Sequence, residues 1–333
     1  MDLNYTVIFL QSDSDLFKVP EDYTERFAGR GVNLVTASTS MTIPELAALA
    51  PHADGLLVGA GRYPIGDEVL DLLPRCRVIV RMGAGYDNID VESATSHGAV
   101  ASNMPGNLPE EVADHTIALF LACLRRLPQQ DRAMRAGEWV AGLAAPARRL
   151  CGQVIGFVGF GRIARTVARK MSGFGLHYLA YDPYIPAAEI ERQGVRPVGF
   201  EELLQNSDVV SLHLPATPET RNLFGARAFS LMKPSAILIN TARGSQVDEE
   251  ALYAALRDGQ IRCAGLDVFQ DEPTSPDNPL LTLDNILVTP HTASYSIEGL
   301  EDFYYFGHKL ICEFLCEGIM PEWTLNPEVA SRI

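Results

Sequence analysis

The stretch VIGFVGFGRIA, residues 154–164, decides the fold of this chain. An apolar run leads directly into Gly159, Gly161 and Ala164 in a G-x-G-x-x-A spacing, and a helical pattern follows. The first glycine permits a tight turn, the second lets backbone amides approach a pyrophosphate, and the alanine lets the helix lie close to a sheet. The N-terminus of such a helix attracts anions. The stretch therefore predicts a strand, a phosphate-binding turn and a helix.

An acidic residue ends the next predicted strand. HYLAY at 177–181 is followed by Asp182, which lies 182 − 161 = 21 residues beyond the second glycine of the motif. A carboxylate at this place accepts hydrogen bonds from ribose hydroxyls and repels a 2′-phosphate. Pro183 and Tyr184 follow it, where an arginine could have bound that phosphate. These residues predict NAD as the cofactor, in preference to NADP.

Apolar runs alternate with helical patterns along most of the chain, which is typical of parallel α/β sheets. From the glycine motif onward they predict a Rossmann-type doubly wound parallel sheet, with strands at 154–158, 177–181, 208–214, 236–240, 263–268 and 286–289. Before the motif they predict a second, flavodoxin-like sheet, with strands at 5–10, 32–37, 55–59, 78–82 and 99–102 and helices near 21–30, 44–50, 67–73 and 89–97.

Two further helical segments set the expected domain boundaries. The segment 110–127 is amphipathic, and Pro128 is expected to end it. The segment after Pro290 has an apolar face but no strands, so we expect it to pack against the first sheet. The pattern predicts a discontinuous substrate domain and an inserted NAD-binding domain, which comprise residues 1–103 with 293–333 and residues 104–292, respectively.

Composition excludes several classes of protein. A chain of 333 residues with 47% hydrophobic and 21% charged residues is typical of a two-domain globular protein. Its net charge of -15 argues against binding to nucleic acid or to an anionic membrane. No apolar run approaches the ~20 residues of a membrane span, and the six cysteines form no Cys-x-x-Cys pair. We therefore predict a cytoplasmic location, free thiols and no metal site.

Three loops after predicted strands of the second sheet carry groups suited to acid–base chemistry. Arg243 follows the strand that ends at Asn240, Glu272 follows the strand at 263–268, and His291 follows the strand that ends at Thr289. Because the carboxyl ends of parallel strands border the ligand crevice, these three side chains are expected to meet there.

The three residue types suit one reaction. Reduction of a 2-oxo acid needs a cation that binds the carboxylate and an acid that protonates the carbonyl oxygen as hydride arrives. Arg243 offers a permanently charged, bidentate donor, and histidine is the side chain that changes charge near neutral pH. Glu272 would orient the His291 imidazole and favour its protonated form. We predict hydride transfer between a nicotinamide and the 2-carbon of a small 2-oxo or 2-hydroxy acid.

In these residues the chain resembles the D-isomer-specific 2-hydroxyacid dehydrogenase family, in its phosphoglycerate dehydrogenase and C-terminal-binding-protein-like branch. The resemblance covers nearly the whole length and lies in an ordered series of motifs: RMGAGYDNID (81–90), NMPGNLPEEVADHT (103–116), GFVGFGRIA (156–164), YDPY (181–184), HLPATPET (213–220), NTARG (240–244), DVFQDEP (267–273) and TPHTAS (289–294).

The resemblance implies an NAD-dependent enzyme with a catalytic triad of Arg243, Glu272 and His291. It implies cofactor contacts from Gly159, Gly161, Arg162, Ile163, Asp182, Thr220, Thr241, Ala242 and Asp267, the last to the nicotinamide carboxamide. It implies that the substrate carboxylate is bound by the backbone amides of Met82, Gly83, Ala84 and Gly85. It also implies a homodimer, for which the helix at 110–127 and Trp139 could form the interface, although that helix could equally be an ordinary core helix.

One alternative from another class stays open. The wider family includes NAD-responsive corepressors that keep the fold and recruit partners, and the motifs GAGYDNID and EEVADHT resemble that branch too. The presence of all three catalytic residues disfavours a purely regulatory role. Ser294 and Tyr295 depart from the common pattern after the histidine, which leaves the shape of the substrate pocket, and hence the substrate, undetermined.

Overall fold

The computed structural model describes residues 3–11, 19–59, 63–105, 109–139 and 147–332. Its strands are β1 (Tyr5–Gln11), β2 (Val32–Ser38), β3 (Gly55–Val58), β4 (Val78–Arg81), β5 (Val100–Ser102), β6 (Val154–Val158), β7 (His177–Tyr181), β8 (Arg196–Pro197), β9 (Val209–Leu212), β10 (Ile237–Asn240), β11 (Cys263–Leu266) and β12 (Ile286–Val288). Its α-helices are α1 (Tyr23–Ala28), α2 (Ile43–Leu49), α3 (Asp67–Leu70), α4 (Val91–Ser96), α5 (Pro109–Arg125), α6 (Leu127–Arg135), α7 (Arg162–Lys170), α8 (Ala187–Glu191), α9 (Phe200–Asn206), α10 (Ala226–Leu231), α11 (Glu249–Arg257) and α12 (Ile297–Glu317).

The chain divides into two compact units. The first unit comprises Met1–Leu108 and Ser296–Ile333, and the second comprises Pro109–Tyr295. These boundaries lie within five residues of the domain limits expected from the sequence, since 108 − 103 = 5 and 295 − 292 = 3. The functions assigned to the two domains from the sequence stay predictions.

The first unit is built on a five-stranded parallel sheet in the order β2-β1-β3-β4-β5. This is the flavodoxin-like order of a doubly wound sheet. One face of the sheet is covered by α1 and α12, and the other by α2, α3 and α4. Because both faces are buried, the strands are apolar at almost every position, which is why they were visible in the sequence.

The second unit is built on a seven-stranded parallel sheet in the order β12-β11-β10-β9-β6-β7-β8. The strand order reverses between β6 and β9, and ligands of such sheets bind beyond the carboxyl ends of the strands at this reversal. Helices α5 and α7 cover one face of the sheet. Their apolar side chains pack with those of β6 and β10 in one cluster. The structure confirms the predicted fold class, an α/β protein with a Rossmann-type sheet and a second parallel sheet.

An aspartate just before the central strand of each sheet binds a neighbouring strand. Asp54 precedes β3, accepts the backbone N–H of Thr6 at 2.9 Å and pairs with Arg75 at 2.7 Å. Asp208 precedes β9, accepts the N–H of Val154 at 2.9 Å and pairs with Lys233 at 2.9 Å. Both carboxylates satisfy an N–H group at the first strand of their sheet, and so help to hold its register.

The prediction that Pro128 ends the amphipathic helix was wrong. Helix α5 ends at Arg125, Arg126 adopts a left-handed conformation with φ of 54°, and α6 begins at Leu127. Pro128 therefore lies in the first turn of a new helix. Proline is tolerated there because the first N–H groups of a helix have no intrahelical acceptor.

The C-terminal helix α12 completes the first unit. It begins after Ser296, whose hydroxyl accepts the N–H of Gly299 at 2.7 Å, and ends at Gly318, which has φ of 70°. The Tyr23 hydroxyl donates to the carbonyl of Tyr304 at 3.1 Å and so joins α1 to α12. Although α12 is 21 residues long, neither it nor another described helix is apolar enough to cross a membrane.

Candidate active site

The glycine motif forms a tight turn between β6 and α7. Gly159 has φ of 86°, and a Cβ at this position would lie 2.6 Å from the carbonyl oxygen of His213. Only glycine therefore fits there. Gly161 is the N-cap of α7, and a Cβ built on it would meet nothing within 4 Å, so the space above the helix N-terminus is open. An open N-terminus with a glycine cap fits a pyrophosphate.

The turn is held from both sides. The N–H of Phe160 donates to Asp182 Oδ2 at 2.9 Å, and the carbonyl of Phe160 accepts from Arg165 Nε at 3.0 Å. Arg165 also pairs with Glu189 at 2.7 Å. Arg165 was not identified from the sequence, because a lone arginine in the second turn of a helix usually faces solvent.

The predicted ribose acid lies at the end of β7, beside the phosphate turn. Besides the bond to Phe160, its Oδ1 accepts the N–H of Tyr184 at 2.9 Å. A carboxylate can accept about four hydrogen bonds, so Asp182 keeps lone pairs for ribose hydroxyls. Arg162 and Ile163 occupy the first two positions of α7, as the motif requires. These residues fit a dinucleotide.

The other predicted cofactor residues follow β9 and β10. Thr220 ends a short 3₁₀ turn, where its hydroxyl donates to the carbonyl of Pro215 at 2.8 Å. The Thr241 hydroxyl is buried and lies 2.8 Å from that of Thr116 on α5. The N–H of Ala242 donates to Asn240 Oδ1 at 3.0 Å. Their side chains or amides are thus engaged within the protein, and their contact with the cofactor stays a prediction.

His291 and Glu272 form a hydrogen-bonded pair. The Nδ1–H of His291 donates to Glu272 Oε2 at 2.6 Å, and Glu272 Oε1 accepts the N–H of Phe269 at 2.9 Å. The carboxylate is largely buried, with 19% of its side chain exposed, whereas the imidazole is 45% exposed. Because Nδ1 carries a proton for the glutamate, Nε2 of the neutral ring is left as the acceptor.

The backbone of His291 is strained. Its φ of 55° lies in the left-handed region, which costs a non-glycine residue about 1–3 kcal/mol. The N–H of His291 donates to the Asp267 carbonyl at 2.8 Å. The Asp267 carboxylate is fully buried and accepts the N–H groups of Thr292 and Ala293, each at 2.9 Å. Asp267 therefore faces the histidine loop, and its predicted contact with the nicotinamide carboxamide stays untested.

Arg243 follows β10, the strand next to β11 in the sheet. Its carbonyl accepts from Asn240 Nδ2 at 2.9 Å, and its Nη1 donates to the carbonyl of Ala242 at 2.7 Å. The next residue, Gly244, touches the loop that carries Glu272, because a Cβ on it would lie 1.9 Å from the carbonyl carbon and oxygen of Phe269. The three predicted catalytic residues thus follow three adjacent strands, β10, β11 and β12.

The predicted substrate loop lies in the first unit, after β4. Gly83 has φ of 145°, and its carbonyl accepts the N–H of Met104 at 2.9 Å. Asn103 Nδ2 donates to the carbonyl of Ala84 at 2.6 Å, which turns this loop backbone in a defined direction. The N–H of Met82 is already donated to the Val58 carbonyl at 2.8 Å. The contact of the Gly83, Ala84 and Gly85 amides with a carboxylate stays a prediction.

Comparison with known proteins identifies the family. The model of the NAD binding domain of D-isomer specific 2-hydroxyacid dehydrogenases matches residues 117–293, which is more than half of the chain. The chain belongs to this family. The cofactor is therefore a nicotinamide dinucleotide, and the choice between NAD and NADP stays a prediction.

Two relatives and one solved structure show what the chain is similar to. It is 45% identical over 239 residues to a glyoxylate reductase of Korarchaeum cryptofilum, covering 71% of this chain and 72% of the relative. It is 41% identical over 273 residues to a D-3-phosphoglycerate dehydrogenase of Methanocaldococcus jannaschii, covering 80% of this chain and 51% of the relative. The chain thus spans about half the length of the phosphoglycerate dehydrogenases that it matches.

The solved structure is the D-lactate dehydrogenase of Aquifex aeolicus with NAD and lactic acid. It has 30% sequence identity and a TM-score of 0.82, and the match covers 94% of this chain and 96% of that one. The likeness extends over both units of the chain, in agreement with the resemblance found along the whole sequence.

Two side chains that contact the candidate site were assigned no role from the sequence. Asn240 is buried and binds both the Ala242 N–H and the Arg243 carbonyl, so it shapes the arginine loop. His115 on α5 was assigned no role from the sequence, and its Nε2 lies 2.9 Å from the Thr289 hydroxyl beside the histidine loop. Asn240 could have been found from the sequence, because it ends a predicted strand just before Arg243. No sequence pattern pointed to the contact of His115.

Proposed function

We propose that this chain is an NAD-dependent oxidoreductase that interconverts a small 2-oxo acid and its D-2-hydroxy acid. The observation that carries the proposal is the 2.6 Å bond between His291 Nδ1 and Glu272 Oε2. This pair lies at the carboxyl end of the sheet whose glycine turn fits a dinucleotide. A histidine oriented by a carboxylate at this end is suited to move a proton to or from an oxygen of the substrate.

Arg243 binds the substrate in this proposal. Its guanidinium is permanently charged and can hold a carboxylate through two parallel hydrogen bonds. A fixed cation is needed because the chain as a whole carries a net charge of -15 and repels small anions. The positive charge of Arg243 would also polarise the 2-oxo group, on whose oxygen negative charge develops.

His291 moves the proton. In reduction, the protonated imidazole donates the Nε2 proton to the 2-oxo oxygen as this oxygen becomes a hydroxyl. In oxidation, the neutral ring accepts the hydroxyl proton at Nε2. Glu272 keeps the proton on Nδ1 in both directions and stabilises the positive charge of the imidazolium. When bound, the nicotinamide would supply or accept the hydride at the 2-carbon.

The preference for NAD over NADP rests on Asp182. Its carboxylate lies at the end of β7 and is held by two backbone N–H groups, from Phe160 and Tyr184. A fixed negative charge there would oppose the 2′-phosphate of NADP and accept the ribose hydroxyls of NAD. Tyr184 is 85% exposed and carries no positive charge that could offset it.

A panel of 2-oxo acids tests the proposal. Purified protein is given NADH or NADPH with glyoxylate, pyruvate, hydroxypyruvate and phenylpyruvate, and loss of NADH absorbance is followed. We expect oxidation of NADH with at least one of these acids, and slower oxidation of NADPH. Inactivity with every acid and both cofactors would contradict the proposal.

Variants of Arg243 and His291 separate the chemical step from cofactor binding. Arg243→Ala and His291→Ala are each expected to abolish turnover while NADH binding, measured by fluorescence titration, stays close to wild type. His177→Ala is the matched control, because His177 is exposed at the start of β7, at the opposite end of the strands. Turnover retained in His291→Ala would remove the histidine from the mechanism.

We also propose that two copies associate through the second unit. The buried face of α5 belongs to the core, since Leu119, Phe120 and Leu124 pack in an apolar cluster with the sheet. Leu127, Met134 and Trp139 beyond it are 53%, 52% and 84% exposed. Large apolar side chains that are exposed near one another favour association, and Leu127 and Met134 lie two turns apart on α6. Sedimentation of Trp139→Glu against wild type tests this, and a monomeric wild type would contradict it.

A further inference from the structure

The carboxylate of Asp267 is the centre of a buried network behind the catalytic histidine. Oδ1 accepts the Thr289 hydroxyl at 2.6 Å and the Thr292 N–H at 2.9 Å, and Oδ2 accepts the Ala293 N–H at 2.9 Å. The carbonyl of the same aspartate accepts the His291 N–H at 2.8 Å. One residue thus binds four groups of the segment 289–293.

These bonds explain how His291 keeps its unusual backbone. A non-glycine residue with φ of 55° persists only where surrounding contacts over-determine it. The contacts here come from both sides of the histidine, since Thr289 precedes it and Thr292 and Ala293 follow it. The position of the imidazole therefore depends on the Asp267 carboxylate staying where it is.

The hydrogen-bond directions in the network lead outward to α5. An ionised carboxylate only accepts, so the single hydroxyl proton of Thr289 is donated to Asp267. The Thr289 oxygen can then only accept from its other neighbour, His115 Nε2, at 2.9 Å. His115 must carry a proton on Nε2, and the chain runs from His115 to Thr289 to Asp267. Hydrogen bonds in such a chain strengthen one another.

The same imidazole is the nearest basic group to the aspartate. Asp267 is fully buried, and a buried carboxylate is unstable unless a donor or a positive charge offsets it. His115 Nε2 lies 3.5 Å from Asp267 Oδ1, and within the described ranges no other basic side chain comes within 4.0 Å of this carboxylate. Its own side chain is only 23% exposed, so water competes little for this position.

We propose that His115 is a positioning residue for the acid–base histidine. It acts through Thr289 and Asp267: the Nε2–H of His115 orients the threonine hydroxyl, the hydroxyl orients the carboxylate, and the carboxylate holds the backbone on which His291 stands. The proposal rests on the proposed function for the role of His291. The contacts among His115, Thr289 and Asp267 do not depend on it.

Two substitutions of His115 separate the donor from mere packing. His115→Leu keeps an apolar body but has no donor, whereas the amide nitrogen of His115→Gln can stand in for the Nε2–H. We expect kcat to fall about 10- to 100-fold in the leucine variant, the loss expected when one partner of a buried hydrogen-bonding group is removed, with the NADH dissociation constant changed less than about twofold. The glutamine variant should recover most of kcat. His177→Leu, on an exposed histidine of the same unit, is the matched control and should behave as wild type.

Hydrogen–deuterium exchange tests the positioning without any turnover. The amides of Thr292 and Ala293 should exchange slowly in wild type and His115→Gln and much faster in His115→Leu. This measurement distinguishes the two proposals: a wild type that reduces no 2-oxo acid contradicts the proposed function, while the exchange rates still decide the role of His115.

The proposal is overturned if His115→Leu keeps both its kcat and its slow exchange. It is also overturned if the leucine and glutamine variants lose kcat equally, because the histidine then contributes shape and not a donor. Thermal melts report whether each variant is folded. Should the leucine variant fail to fold, His115→Asn replaces it, since its amide is polar but too short to reach Thr289, and the same outcomes apply.

Discussion

Replacement of Glu272 by glutamine should invert the proton pattern of the catalytic histidine. The N–H of Phe269 points at one oxygen of the carboxylate, at 2.9 Å, and needs an acceptor there. The amide oxygen of Glu272→Gln must therefore face Phe269, and its NH₂ group must face His291 Nδ1. Since NH₂ only donates, Nδ1 loses its proton and the neutral ring carries it on Nε2. The nitrogen that should accept the substrate proton is then already protonated.

The size of the effect follows from a known case and from the exposure of the site. The same tautomer change in the Ser-His-Asp triad of serine proteases lowers kcat about 10⁴-fold. The His291 side chain is 45% exposed, so water offsets part of the loss. We expect kcat for oxidation of the 2-hydroxy acid to fall about 10³-fold, which corresponds to about 4 kcal/mol of transition-state stabilisation.

Steady-state kinetics in both directions measure this change, and the proton resonance of His291 Nδ1–H in NMR spectra reports the tautomer. Glu201→Gln is the matched control, because Glu201 is an exposed residue of the same unit that pairs with the exposed Arg227 at 2.6 Å. A Glu272→Gln enzyme within tenfold of the wild-type kcat in both directions would refute the reasoning, as would survival of the Nδ1–H resonance.

Three further changes have definite expected outcomes. Gly244→Ala should lower kcat at least about 100-fold and the free energy of unfolding by about 1–3 kcal/mol, because the new Cβ would lie 1.9 Å from the backbone of Phe269 and displace that loop. Kinetics and thermal melts check this. The control is Gly199→Ala, where a Cβ meets nothing within 4 Å. Asp182→Ser should raise kcat/KM for NADPH relative to NADH, and an unchanged ratio would contradict the assigned role. His97 Nε2 hydrogen-bonds Asp71 at 3.0 Å, and this bond raises the pKa of the imidazole. Its contribution to the free energy of unfolding, at most about 1 kcal/mol, is complete below the unfolded pKa and is lost as pH rises through the folded pKa. The difference in Tm between wild type and His97→Ala should therefore shrink as pH rises.

Most strands could be predicted because strands buried on both faces must be apolar throughout. The predicted spans 154–158 and 177–181 agree with β6 and β7 residue for residue. The strand predicted at 208–214 is shorter in the structure, since Asp208 turns its side chain to a neighbouring N–H and the chain leaves the sheet after Leu212. The two-residue strand β8 escaped prediction because Arg196 and Pro197 show no apolar run.

The candidate site could be predicted at the level of residue type and strand end. Arg243, Glu272 and His291 each follow a strand, and adjacency in the sheet then brings their loops together. The partners of these residues could not be predicted. His115 and Thr289 are 174 residues apart, and their contact depends on how α5 packs on the sheet. Likewise, the near-contact of Gly244 with Phe269 is set by backbone paths that no local pattern encodes.

The division of the first unit into two chain segments has a consequence during synthesis. Helix α12 covers the sheet face that carries Val7, Phe9, Leu57 and Val80, yet the ribosome makes it only after the whole second unit. The second unit is 295 − 109 + 1 = 187 residues long, so at about 5–20 residues per second the uncovered face waits on the order of 10–40 s. Chaperones are most needed on the nascent chain in that interval. The second unit can also finish folding before the first unit, whose synthesis began earlier.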